Sequence, residues 1–155
     1  MQLVVRGLAR LIMLALIMAT GISGRAATRL FVLPFTGKTG STELRNELVN
    51  LLKRQKSVQI VESVVEADRI LSGSGETYVK GYLGKNPRVR YRNSDSRAVY
   101  GGYLSVELTD KDGEPLWSYL ATPRRFDSDI NRNLASQIVV RLVGLFEGSG
   151  KTAGP

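Results

Sequence analysis

"TRLFVLPFTGKTGSTELRNELVNLLKRQ", Thr28 to Gln55, decides how the rest of the chain is read. Its apolar run from Leu30 to Phe35 is too short for a helix and rich in Leu, Val and Phe, which predicts a buried central strand. Pro34 helps to end that strand, and Gly37 and Gly40 permit a turn. Ser41 or Thr42 is placed to cap a helix. Leu44, Leu48, Leu51 and Leu52 then recur at helical spacing. Glu43 near the start and Lys53 and Arg54 near the end complement the helix dipole. A Val- and Ile-rich strand, Ser57 to Ser63, follows, so the domain opens as β-α-β.

Gly37-Lys38-Thr39 raises the question of a phosphate-binding P-loop. The motif G-x-x-x-x-G-K-[ST] needs a glycine five residues before its second one. That position holds Val32, inside the strand. A second Gly-Lys-Thr, Gly150 to Thr152, places Leu145 there and has no helix after it to present N–H groups to a phosphate. Both fail, and the turn reads as structural.

Outward from this unit, "VVEADR" (Val64 to Arg69) reads as a short helical piece. "ILSGSGETYVKGYL" (Ile70 to Leu83) reads as a strand that bulges where its glycines fall. Gly84 to Arg97 is polar and basic, the long loop of the domain. "AVYGGYLSVELTD" (Ala98 to Asp110) alternates as a half-buried strand should. "DKDGEP" turns it into a returning strand, Leu116 to Thr122. Asp127 or Ser128 is placed to cap a last helix whose Ile130, Leu134, Ile138, Leu142 and Leu145 share one face. The order β-α-β-(α)-β-β-β-α predicts an α/β (α+β) domain, a mixed sheet with helices mainly on one face.

In front of the domain, Arg6 and Arg10 precede the apolar Leu11–Ala19 and a small-residue tract ending at Ala26. Those three parts predict a secretory signal peptide at 1–26, a single domain at 27–147 and a disordered tail at 148–155. A retained N-terminal anchor is the alternative for the first segment.

The chain of 155 residues has no cysteine and no histidine. This excludes disulfides, thiolate sites, Ser-His-Asp or Cys-His catalysis, and the lipid-bearing cysteine of an exported lipoprotein. No cofactor and no metal are expected. Net charge is +8, and without Arg6, Arg10 and Arg25 it is 8 − 3 = +5. That excess suits an anionic glycan or lipid surface, with nucleic acid set aside for an exported protein. Acidic groups at Asp110, Asp112 and Glu114, and at Asp127 and Asp129, read as turn and cap residues; they lack the platform of a glycosidase or a complete calcium loop.

The distinctive polar feature is the basic loop. Lys85, Arg88, Arg90, Tyr91, Arg92 and Arg97, with Lys80, Tyr82 and Tyr100 beside them, form a candidate site for an anion or a partner. Arg124 and Arg125 are placed to join it across the sheet. A solvated loop that protects a strand edge is the competing reading.

Taken together, "LFVLPFTGKTGS", "VQIVES", "EADRILSGSGETY" and "LSVELTDKDGEPLWSY" resemble exported bacterial envelope domains. These are the curli secretion (CsgG) group, the TolB N-terminal domain and the penicillin-binding-protein activator LpoB. The resemblance spans most of residues 28–146 and rests on fold-determining residues. It implies a non-enzymatic periplasmic or envelope module that binds another envelope protein. The chain departs from the lipoprotein members by lacking the lipidated cysteine, and its connections are too short for the curli channel's membrane hairpins. The alternative is an anion, glycan or lipid head-group binder using Lys85–Arg97.

Overall fold

The computed structural model describes residues 26–84, 96–123 and 129–148. Five strands and two helices follow in the order β1 (Thr28–Val32), α1 (Ser41–Leu52), β2 (Val58–Ile60), β3 (Arg69–Gly84), β4 (Ser96–Asp110), β5 (Pro115–Ala121) and α2 (Ile130–Gly148). The sheet order is β2-β1-β3-β4-β5. β1 is parallel to both β2 and β3, whereas β3–β4 and β4–β5 are antiparallel. The fold is thus the expected α+β domain with a mixed sheet.

One apolar cluster joins the sheet to both helices. Leu30 and Val32 of β1, Leu71 of β3, and Leu104, Val106 and Leu108 of β4 meet Leu44, Leu48 and Leu52 of α1 and Leu134, Ile138 and Leu142 of α2. The alternation of β4 and the helical spacing of both helices place these side chains on the shared face. Leu145, expected on the same stripe, is half-buried at its margin. The opposite face of the sheet carries no helix among the described residues.

Gly73 and Gly75 of β3 answer a packing demand, while the expected bulge falls beside Gly81. A Cβ on Gly73 would fall 2.7 Å from Phe35 Cε1, and one on Gly75 would fall 2.9 Å from Leu44 Cδ1. These two positions let an aromatic ring and a helix approach the sheet. The only register shift along this pair lies between Val79 and Gly81.

Both helix starts differ from expectation. α1 has Gly40 at its N-cap, at φ 81°, with no side-chain cap bond; Ser41 is its first helical residue and is buried. A tight left-handed turn here leaves no room for an exposed hydroxyl cap, because a side chain on Gly40 would run into Thr77 Oγ1. At α2, Asp127 and Ser128 lie outside the described residues, and Asp129 supplies the cap: its Oδ1 accepts from Arg132 N at 3.1 Å. The piece after β2 is a single 3₁₀ turn, Val64–Glu66, capped by Ser63, whose side chain accepts from Val65 N. Too few residues remain before β3 for a full helix.

The connection back to β3 is latched at its exposed end. Arg29 Nη2 donates to Asp68 Oδ1 at 2.7 Å and Arg29 Nε to Asp68 Oδ2 at 3.2 Å, while Asp68 N donates to the Arg29 carbonyl at 2.8 Å. The hydrogen bonds from the Arg29 side chain, then from its backbone N–H, hold the Asp68 carboxyl below the usual carboxylate range. A depressed carboxyl stabilises the fold above its unfolded pKa of about 3.9, and this contribution disappears as pH falls through the folded value. Asp68→Asn is therefore expected to lower the urea midpoint at pH 7. The gap from the native chain should close as both are titrated into strong acid.

Candidate functional site

The antiparallel pair β3–β4 outgrows the rest of the sheet. β1 pairs with β3 only as far as Leu71, a single bridge joins Thr36 to Ser74, and Thr77 N reaches the Thr39 carbonyl at 3.0 Å. On the other side β5 reaches Leu104. Beyond these points Tyr78–Gly84 pairs with Ser96–Gly101 as a two-stranded ribbon with no described strand at either edge.

The ribbon is apolar on both faces. Residues paired with Gly101 and Arg97 share one face, which gives it Tyr78 and Leu83; those paired with Tyr100 and Ala98 share the other, which gives it Val79 and Tyr82. Tyr82 is 69% exposed and Leu83 53% exposed, and Tyr78 and Val79 are also exposed. Tyr78 lies across Gly101, where a Cβ would sit 2.8 Å from its ring. Exposed Lys80 stands at the register shift and exposed Arg97 opposite Leu83.

Of the basic residues expected to form a site, Arg97 is the one described, and it lies on this ribbon. Lys85, Arg88, Arg90, Tyr91 and Arg92 belong to the sequence joining the two strands and lie outside the described residues, as do Arg124 and Arg125. Lys80, Tyr82 and Tyr100 lie with Arg97 on the ribbon. What sequence reasoning missed is the apolar half: Tyr78, Val79 and Leu83 sit in a strand whose length was legible but whose lack of neighbours was not.

The turn that resembled a P-loop is consumed by the sheet. Thr36 N donates to the Gly73 carbonyl at 3.0 Å, Gly75 N to Thr36 at 2.9 Å and Thr77 N to Thr39 at 3.0 Å, so Thr36 to Thr39 run stitched along β3. Behind it, Arg45 of α1 sends Nη2 to the Val32 carbonyl at 2.7 Å and Nε to that of Leu33 at 3.0 Å. In the β4–β5 turn, Asp110 Oδ1 accepts from Asp112 N and Glu114 N, both at 2.9 Å, which makes it the turn residue its position implied.

Two further surfaces complete the picture. On the helix-free face a hollow of about 390 Å³ lies beside Leu33 and Pro34, bordered by Ser72, Ser74, Ser105 and Glu107. Along the outer side of the molecule, β5 has β4 on one edge and no described strand on the other. α2 runs beside it: Gln137 Nε2 donates to the Thr122 carbonyl at 2.9 Å, and the Arg141 guanidinium lies 5.6 Å from the Tyr119 ring centre. Leu116 and Leu120 of β5 are exposed, Leu120 on the helix-free face opposite Ser105, and Val140 is exposed on α2. A recess of about 520 Å³ lies along α2 between Ser136 and Gly144. No helix of the described residues is long and apolar enough to cross a membrane.

No family model and no curated protein sequence matches the chain. Among solved structures, the chain is similar to a PelC variant from Paraburkholderia phytofirmans, described as a dodecamer. That match has 19% identity over 78% of this chain and 92% of that one, with a TM-score of 0.50. It is also similar to protein XCC0632 from Xanthomonas campestris, of the family DUF330, with 13% identity over 85% of this chain and 91% of that one and a TM-score of 0.51. At such identities the likeness is one of fold, and the chain shares this α+β architecture with both.

Proposed function

We propose that this chain is a non-enzymatic, exported module of the bacterial envelope that works through protein contacts, first of all with copies of itself. The observation that carries the reading is the unpaired outer edge of β5, where Leu116 is exposed and Leu120, paired with Ser105, is exposed on the helix-free face. An open edge bearing apolar side chains invites another chain to pair with it. Export is supported by the basic, apolar and small-residue order of residues 1–26. The similar PelC variant, described as a dodecamer, supports an oligomer on this architecture.

The test is the mass of the protein recovered from the periplasmic fraction, read by light scattering across a micromolar concentration series. The native protein is expected as an oligomer, and Leu120→Arg as a monomer with an unchanged circular dichroism spectrum. A native protein that stays monomeric at about 100 µM, a concentration at which any self-association of that affinity or tighter would be visible, overturns the reading.

A further inference from the structure

We infer that the β3–β4 ribbon is a membrane-docking device that inserts its apolar side chains into the interfacial zone of an anionic lipid bilayer. The inference shares with the assembly reading only the exported location, and it uses a different surface.

The first argument is geometric. Tyr78 and Leu83 lie on one face of the ribbon, Val79 and Tyr82 on the other, and all four are exposed. A flat protein partner covers one face and leaves the second wet. A lipid interface surrounds the ribbon and covers both. Tyrosine suits that zone because its ring is apolar and its hydroxyl is satisfied among headgroups.

The second argument is charge. The described ribbon carries Lys80 and Arg97, and neither Tyr78–Gly84 nor Ser96–Gly101 contains an acidic residue. Long cationic side chains beside apolar ones keep their charge at headgroup level while the stems are buried.

Depth follows from the backbone. Both outer edges of the ribbon present N–H and C=O groups without a described strand to take them, and such groups are not tolerated in hydrocarbon. The free stretch is also about 20 Å long at roughly 3.3 Å per residue, shorter than the 9–11 residues of a membrane-spanning strand. Docking is shallow, at the level where headgroups and water complete those edges.

Trp117 is the sole tryptophan and stands on β5, away from the ribbon, so it reports on the rest of the molecule. In the full chain, Tyr82→Trp with Trp117→Phe moves the reporter onto the ribbon, whatever the N-terminal segment does. With vesicles of phosphatidylcholine and brominated phosphatidylglycerol, tryptophan at 82 is expected to be quenched and tryptophan at 117 in the native chain is not. Lys80→Glu with Arg97→Glu should weaken binding at least twentyfold, about fivefold for each cation lost, and raised salt should do the same. Leu83→Trp serves as a second reporter should Tyr82→Trp disturb folding. The assembly-blocking Leu120→Arg is expected to leave quenching at 82 intact, which separates this result from the oligomer. Absence of quenching at both 82 and 83, or equal quenching on purely zwitterionic vesicles, overturns the inference. So does quenching at 82 that appears only once an added envelope protein is present.

Discussion

Gly37→Val is expected to cost more than about 3 kcal/mol of stability, enough to remove a large part of what holds a domain of this size together. Gly37 sits at φ 143°, and a Cβ there would run into the Gly75 carbonyl oxygen. That oxygen cannot retreat, because Gly75 N is bonded to the Thr36 carbonyl at 2.9 Å and Gly75 itself lies under Leu44. The substitution therefore adds backbone strain and breaks the stitching of the turn to β3. Gly113→Ala is the matched control: φ is 88°, but the space around it is open. It should cost only about 1 kcal/mol, the strain of a left-handed residue alone. Urea midpoints for the two variants, at unchanged slope, separate clash from conformation.

Leu30→Ala is the second large effect, expected at about 3–4 kcal/mol. Leu30 is fully buried, and its strand lies between β2 and β3, paired at that residue with Ile60 and Arg69. The void opens where the sheet meets α1 and α2, and the neighbours able to collapse into it are already held by strand pairing on both sides. A loss below about 1.5 kcal/mol would mean that the helices settle onto the sheet more freely than the packing implies. Thermal and chemical unfolding of the variant give the number directly.

These positions also show how far the sequence could be read. Leu30 and Val32 announced a buried strand through their apolar run, and Leu44, Leu48 and Leu52 announced the helix covering it. Periodicity reports burial, and burial is what the core consists of. The helix start at Gly40 was less legible. A hydroxyl cap and a left-handed glycine turn solve the same backbone problem, and the crowding by Thr77 that favours the glycine comes from a strand 37 residues further on. Gly73 and Gly75 looked like irregularities for the same reason, since their partners Phe35 and Leu44 are distant in sequence.

The candidate site was legible in its charge and not in its shape. Arginines and a lysine spaced along residues 85–97 are visible to any reader of the sequence. That β1 and β5 stop short of them is a matter of strand pairing, which no local pattern encodes. Tyr78 and Leu83 were therefore assigned to an ordinary strand, though both stand in the open with Tyr82.

Arg45 has a consequence for what this architecture is able to become. In open α/β sheets, small molecules gather outside the carboxyl ends of parallel strands. Here the carbonyls of Val32 and Leu33 at that end of β1 are already taken by the protein's own guanidinium. The crevice that descendants of such a fold would need for chemistry is plugged from within, by a cation whose removal would leave strand-end carbonyls without partners. New activities on this scaffold have an easier route at its periphery, where residues change without dismantling the joint between sheet and helix.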